Sequence, residues 1–200
     1  MAEDDRLHHA FALIDAAHSE DPRRQDGQPV ELLYAQRMTD WLARLYPDAA
    51  EPLRLAARAQ HIRRWTIPRS RYPMTRAGYL QWRTELGRFH AQTAGRLLAE
   101  AGYDAVTVER VGALIRKEQL KTDSDAQALE DVICMVFLQY EFADFAPRHE
   151  EAKVVRILRR TWGKMSGRGQ AAALGLKLPP PLRSLIEKAL APRPGDPALP

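Results

Sequence analysis

The sequence predicts an all-α protein, a bundle of roughly eight to nine helices folded as a single domain. Three observations carry this expectation. Apolar residues recur at helical spacing over nearly the whole chain, and strand-type alternation is almost absent. Helix-starting and helix-stopping residues repeatedly punctuate that periodicity. Two hundred residues with 45% hydrophobic and 28% charged content suit one soluble domain with its own core.

The elements follow in order. Residues 4–18 form the first expected helix, with Leu7, Phe11, Ile14 and Ala17 on one face. SEDPRRQDGQ, with Pro, Gly and Asp, is a turn region. Pro29 opens a second helix whose apolar side is Leu32, Leu33, Met38, Trp41, Leu42 and Leu45. A third begins between Asp48 and Glu51 and runs to Arg64. WTIPRSRYPM, residues 65–74, cannot be α-helical, because Pro68 and Pro73 interrupt it. Thr75 caps a long helix ending near Gly102, and another covers 104–118. Ser124 with Gln127 makes a capping box for a helix over 124–145. Pro147 opens a further helix to Ser166, which GRG breaks. A short helical piece, PPP and an amphipathic helix over 181–190 complete the chain. The domain is expected to span 1–190, with 167–190 as a C-terminal appendage and 191–200 as a disordered tail.

Composition excludes several classes. The longest apolar run, VICMVFL at 132–138, is far short of the ~18 residues of a membrane span. MAEDDRLHH lacks the basic-then-apolar layout of a signal peptide. A cytoplasmic protein with no membrane partner is expected. The single cysteine, Cys134, allows no intrachain disulfide and reads as a small core residue. P-loop, dinucleotide-turn, HExxH and nucleophile-elbow motifs are missing.

Net charge is only +4, but its distribution is uneven. The first 116 residues hold seventeen arginines and no lysine, and residues 52–84 hold eight arginines and no acid. Within this run, Arg63, Arg64, Arg69, Arg76 and Arg83 could grip an anion bidentately, and Trp65, Tyr72 and Trp82 could stack on a planar group. Glu31, Tyr34 and Arg37 form a weaker cluster one turn apart. Arg76, Arg83 and His90, spaced by seven, form a basic stripe expected to turn partly inward. His90 alone reads equally well as a core histidine bonded to a carbonyl. Glu130 and Asp131 directly precede VICMVFL, on a helix expected to be central. An acid there either pairs with an arginine or acts chemically.

Two resemblances follow from longer stretches. ELLYAQRMTDWL, LAARAQHIRRWTIPRSRYPMTRAGYLQWRTEL, FHAQTAG, LIRKEQLKTD and LEDV resemble a bacterial and fungal family known only as a domain of unknown function (catalogue number forty-two-zero-two), over residues 8 to 190. More distantly, the helix order is similar to the HD superfamily of metal-dependent phosphohydrolases, which implies an HD-like bundle. LAARAQHIRRW resembles the helix carrying the His-Asp pair, and LEDVICMVF the helix carrying the final Asp. The likeness implies His61, His90 and Asp131 as catalytic or metal-binding residues, with Glu130 beside them. It departs at Ile62, which replaces the paired Asp, at Gln36 or Arg37, which replaces the early His, and at Lys117 and Glu118, which replace an accessory pair. Any divalent cation is expected to bind weakly, or only with substrate oxygens.

Three functions stay open. One is a phosphohydrolase-like enzyme or binder for a small anionic, phosphorylated or nucleotide-like ligand, with His61 and Asp131 supplying acid–base chemistry. Another is an RNA or nucleic-acid binder. The last is an inactive partner or regulatory protein.

Overall fold

The structure, a computed structural model, describes residues 3–120 and 122–192. Among these the chain is all-α apart from one two-stranded hairpin. The order is α1 (Glu3–Ser19), β1 (Arg24–Gln25), β2 (Gln28–Pro29), α2 (Val30–Leu45), α3 (Glu51–Ala59), α4 (Arg76–Glu100), α5 (Ala105–Arg116), α6 (Ser124–Val136), α7 (Phe142–Phe145), α8 (Glu151–Trp162), α9 (Gly167–Leu174) and α10 (Pro180–Leu190). Two compact units divide between Leu129 and Glu130, inside α6. None of the described helices is long and apolar enough to cross a membrane.

In the first unit, α1 to α5 close around one core. Leu7, Ala10 and Ile14 of α1 are buried, as are Met38 and Leu42 of α2, Leu53, Leu55 and Ala56 of α3, and Val111 and Leu114 of α5. Arg58 ties α3 to α1 through a two-pronged pair with Asp15, at 2.7 and 2.5 Å. After a turn at Gly102, whose φ of 88° suits a residue without Cβ, α5 runs back along α4. The register is given by two glycines: Gly95 faces Val108, and Gly87 faces the Cα of Arg116. Since α5 stops at Arg116, residues 76–86 of α4 extend beyond its end.

In the second unit, the end of α6 buries Val132, Met135 and Val136, and Phe142 of α7 is fully buried. Helices α8 and α10 pack together through Val154, Leu158, Leu182 and Ala189. Arg159 donates to the carbonyls of Ala189 and Lys188 at 2.9 and 3.2 Å, meeting the negative end of α10.

Several boundaries differ from expectation. The third helix ends at Ala59 rather than Arg64, because His61 (φ 64°) and Arg63 (φ 51°) take the left-handed conformation that no helix continues through. WTIPRSRYPM is two single 3₁₀ turns, Arg64–Thr66 and Arg69–Arg71. Asp123, not Ser124, opens α6: its Oδ1 accepts the N–H groups of Asp125 and Ala126 at 2.9 and 3.3 Å. The helix expected to 145 passes through a π-helical stretch, Phe137–Glu141, before α7. Pro147 sits in a 3₁₀ turn, Ala146–Arg148, and α8 starts only at Glu151. GRG does not break a helix but opens α9, with Ser166 Oγ accepting from the Gly169 N–H at 3.2 Å. The expected tail lies outside the described residues from 193 onward.

Candidate functional site

The reversal after α3 builds the site. Between two left-handed residues, Ile62 is fully buried, and its carbonyl accepts the Nδ1–H of His90 at 2.7 Å. Two left-handed, non-glycine residues cost about 1–2 kcal/mol each. Anchoring Ile62 in the core holds them in place. His61 is thereby turned so that its ring stacks on Tyr34 of α2, with centroids 4.5 Å apart and planes at 17°.

Arg64 reaches back one turn and places Nη1 3.0 Å from His61 Nε2. A guanidinium only donates, so this Nε2 carries the lone pair and His61 is the neutral Nδ1–H tautomer. Burial, and then the charge of Arg64, hold the His61 pKa well below its ordinary value; Lys117 and two further histidines add to this. His61 nonetheless keeps partial solvent access. The ring is thus crowded and still reachable from solvent.

His90 stands beside it, ring centroids 6.0 Å apart. Burial lowers its pKa to about 4 against the opposing pull of the Ile62 carbonyl. His18, fully buried on α1, is likewise held at about 4 by burial, and its Nε2 donates to the Arg58 carbonyl at 3.0 Å. Both rings are neutral with their protons committed, which leaves bare nitrogens: His90 Nε2 and His18 Nδ1 are buried without a hydrogen-bond partner. Gln60 Oε1 and Thr93 Oγ1 share that condition.

Arg64 completes the arrangement by lying over the Trp82 ring, 4.9 Å from its centroid, while Trp82 Nε1 donates to the Ile67 carbonyl at 2.9 Å. Among the described residues no carboxylate lies within ion-pair distance of Arg64, whose contacts are a neutral imidazole and an indole. Glu31, buried with its pKa raised by desolvation, feels Arg64 only through its field and is bonded directly to Arg23, at 2.6 Å.

Other sequence-predicted residues go elsewhere. The stripe does not turn inward: His90 is buried, but Arg76 and Arg83 are exposed. They lie on the part of α4 beyond the end of α5, where only Gly78, Trp82 and Leu86, four apart, are covered. Arg63 pairs with Glu20 at the surface. Arg69 is spent on the carbonyls of Tyr72, Pro73 and Thr75 at 2.9, 2.6 and 3.3 Å. Arg37 Nη1 is 3.4 Å from Gln25 Oε1, Tyr72 bonds Glu85, and Trp65 is half-buried.

In the second unit, Asp131 is fully buried and accepts the N–H of Ser166 at 2.8 Å and its hydroxyl. A Cβ on Gly169 would stand 2.7 Å from the Asp131 carboxyl carbon, so only glycine lets the start of α9 close on this acid. Glu130 pairs with Lys164 at 3.2 Å. Cys134 is buried, as expected.

The HD resemblance implies a divalent metal, and the donors do not fit one. His61 Nε2 already faces a guanidinium, and both Asp131 oxygens accept from Ser166. Among the described residues no group of three or more His, Cys, Asp or Glu could hold a metal ion.

Sequence reasoning missed His18 and gave Tyr34 little weight. Both had a signal. His18 stands four residues after Ile14 on the apolar side of α1, and Tyr34 stands four before Met38 on that of α2. No curated protein and no solved structure matches the chain. The long motifs around this site do carry an assignment: a family model matches residues 8–186, and the chain belongs to the family described as Domain of unknown function (DUF4202).

Proposed function

We propose that the first unit binds a small phosphorylated ligand beside His61, with Arg64 as the phosphate-gripping residue. The observation that carries this reading is Arg64 itself: a half-buried guanidinium held against a neutral imidazole and an indole, without a carboxylate. Such a fork suits two oxygens of a phosphate, and Lys117 adds positive potential nearby. Buried polar atoms without partners, costing about 1–3 kcal/mol each, stand beside it at Gln60 Oε1, next to His61 in the chain, and at His90 Nε2 on the neighbouring ring. A fold tolerates such a concentration where something other than stability is served. Phosphate draws Arg64 off His61 and frees the Nε2 lone pair, which can then accept a proton from the ligand. Arg76 and Arg83, exposed on α4, are not part of this grip.

Titration calorimetry with inorganic phosphate, pyrophosphate and ribose 5-phosphate tests this. Binding of a phosphorylated compound that Arg64→Gln weakens at least ~10-fold, and Arg83→Gln does not, is expected. Equal binding by Arg64→Gln, or no binding by the unaltered protein, overturns the reading.

A further inference from the structure

We infer that the overhanging end of α4, with the turn before it, docks the protein on an anionic lipid surface. Among the described residues five large apolar side chains are strongly exposed, and three of them fall within residues 74–80: Met74 at 82%, Leu80 at 54% and Tyr79 at 41%. Arg71, Arg76 and Arg83 surround them, all exposed and none paired with a carboxylate. From Arg76 on, Tyr79, Leu80 and Arg83 fall within about 100° of arc at 3.6 residues per turn, so one face carries both chemistries.

The turn is tied to the helix start. Arg69 pins the turn through three carbonyls, Thr75 Oγ1 caps the helix at the Gly78 N–H, and Gly78 lies so close to the Pro73 carbonyl that no larger residue fits. The segment 66–84 contains no acid, and residues 76–86 extend about 16 Å past α5.

Apolar tips ringed by unpaired arginines suit a bilayer interface, where side chains enter the acyl boundary and cations meet phosphates. Charge complementarity chooses the occupant. A two-fold contact with a second copy sets arginine against arginine. Nucleic acid uses the arginines but not Met74 and Leu80, which cannot stack on bases, and the Tyr79 ring already carries the Arg83 guanidinium at 5.9 Å. The contact is peripheral, in keeping with the lack of a spanning helix among the described residues.

Co-sedimentation with phosphatidylcholine vesicles, with and without phosphatidylglycerol, tests this in low salt. The full chain is expected to sediment with the anionic vesicles only. Each arginine contributes about fivefold, so Arg76→Glu with Arg83→Glu releases it. Met74→Ser with Leu80→Ser weakens binding about tenfold, with thermal unfolding unchanged in both double variants. Failure to sediment with anionic vesicles overturns the inference. So does a Met74→Ser, Leu80→Ser variant that sediments undiminished. Retention of single-stranded RNA without vesicle binding assigns the surface to nucleic acid instead and likewise overturns it.

Discussion

The two ends of one basic run, residues 58–64 and 71–83, each hold three arginines and no acid, and they have opposite fates. In the first, Arg58 is locked to Asp15, Arg63 meets Glu20 and Arg64 lies between His61 and Trp82. In the second, Arg71, Arg76 and Arg83 stand in solvent. Charge content does not separate them. What separates them is the length of the neighbouring element: α5 covers α4 only as far as Gly87, so everything before it keeps one covered strip and no more. A count of arginines therefore says little about their use until the ends of the packing helices are known.

The contrast can be broken most severely at Ile62. Ile62→Asp puts a carboxylate where the side chain is 0% exposed. It should cost at least about 4 kcal/mol in urea denaturation, whereas Arg83→Asp should change stability by no more than about 0.5 kcal/mol. Comparable losses from both would erase the distinction.

Acidity probes the inner end alone. Burial holds His18 and His90 at about 4 in the fold, while unfolded imidazole titrates near about 6.5. Between those values the unfolded chain takes up protons that the fold refuses. The contribution is complete above about pH 6.5 and is lost as pH falls toward 4. Stability should be about 4 kcal/mol lower at about pH 5 than at about pH 7.5, and His90→Gln should flatten that slope. A urea midpoint that stays constant over this range would mean that the rings are already charged in the fold.

The smallest effect sharpens the boundary itself. Arg63 has φ 51°, so Arg63→Gly should be about 1 kcal/mol more stable than Arg63→Ala in the same denaturation assay. Both variants lose the Glu20 pair, so the difference isolates the backbone.

Helix existence was legible nearly throughout, because the apolar spacing of α2, α3, α5, α8 and α10 is strong and the caps at Thr75 and Asp104, which open α4 and α5, are ordinary ones. The end of α3 was not, since nothing local marks His61 and Arg63 as left-handed. That conformation is imposed by the burial of Ile62 and the His90 bond to its carbonyl, which are tertiary facts. His61 and Arg64 were legible as candidates from the charge run. The Tyr34 ring that stacks on His61 comes from a helix distant in sequence, as does His18, which acts on His61 only through its field. The inward stripe failed for a related reason: a spacing of seven assigns a face to a helix but does not say how far along its length that face is covered.

That half-covered rod has a kinetic consequence. Hydrogen bonds of α4 beyond Gly87 can open without uncovering more than Trp82 and Leu86, whereas those around Ala91, Ala94 and Leu98 open only if the packing of the first unit is lost. One continuous helix is then two exchange regimes. Amide protons between Tyr79 and Arg83 trade with solvent through local fraying, and those near Leu98 only through global unfolding.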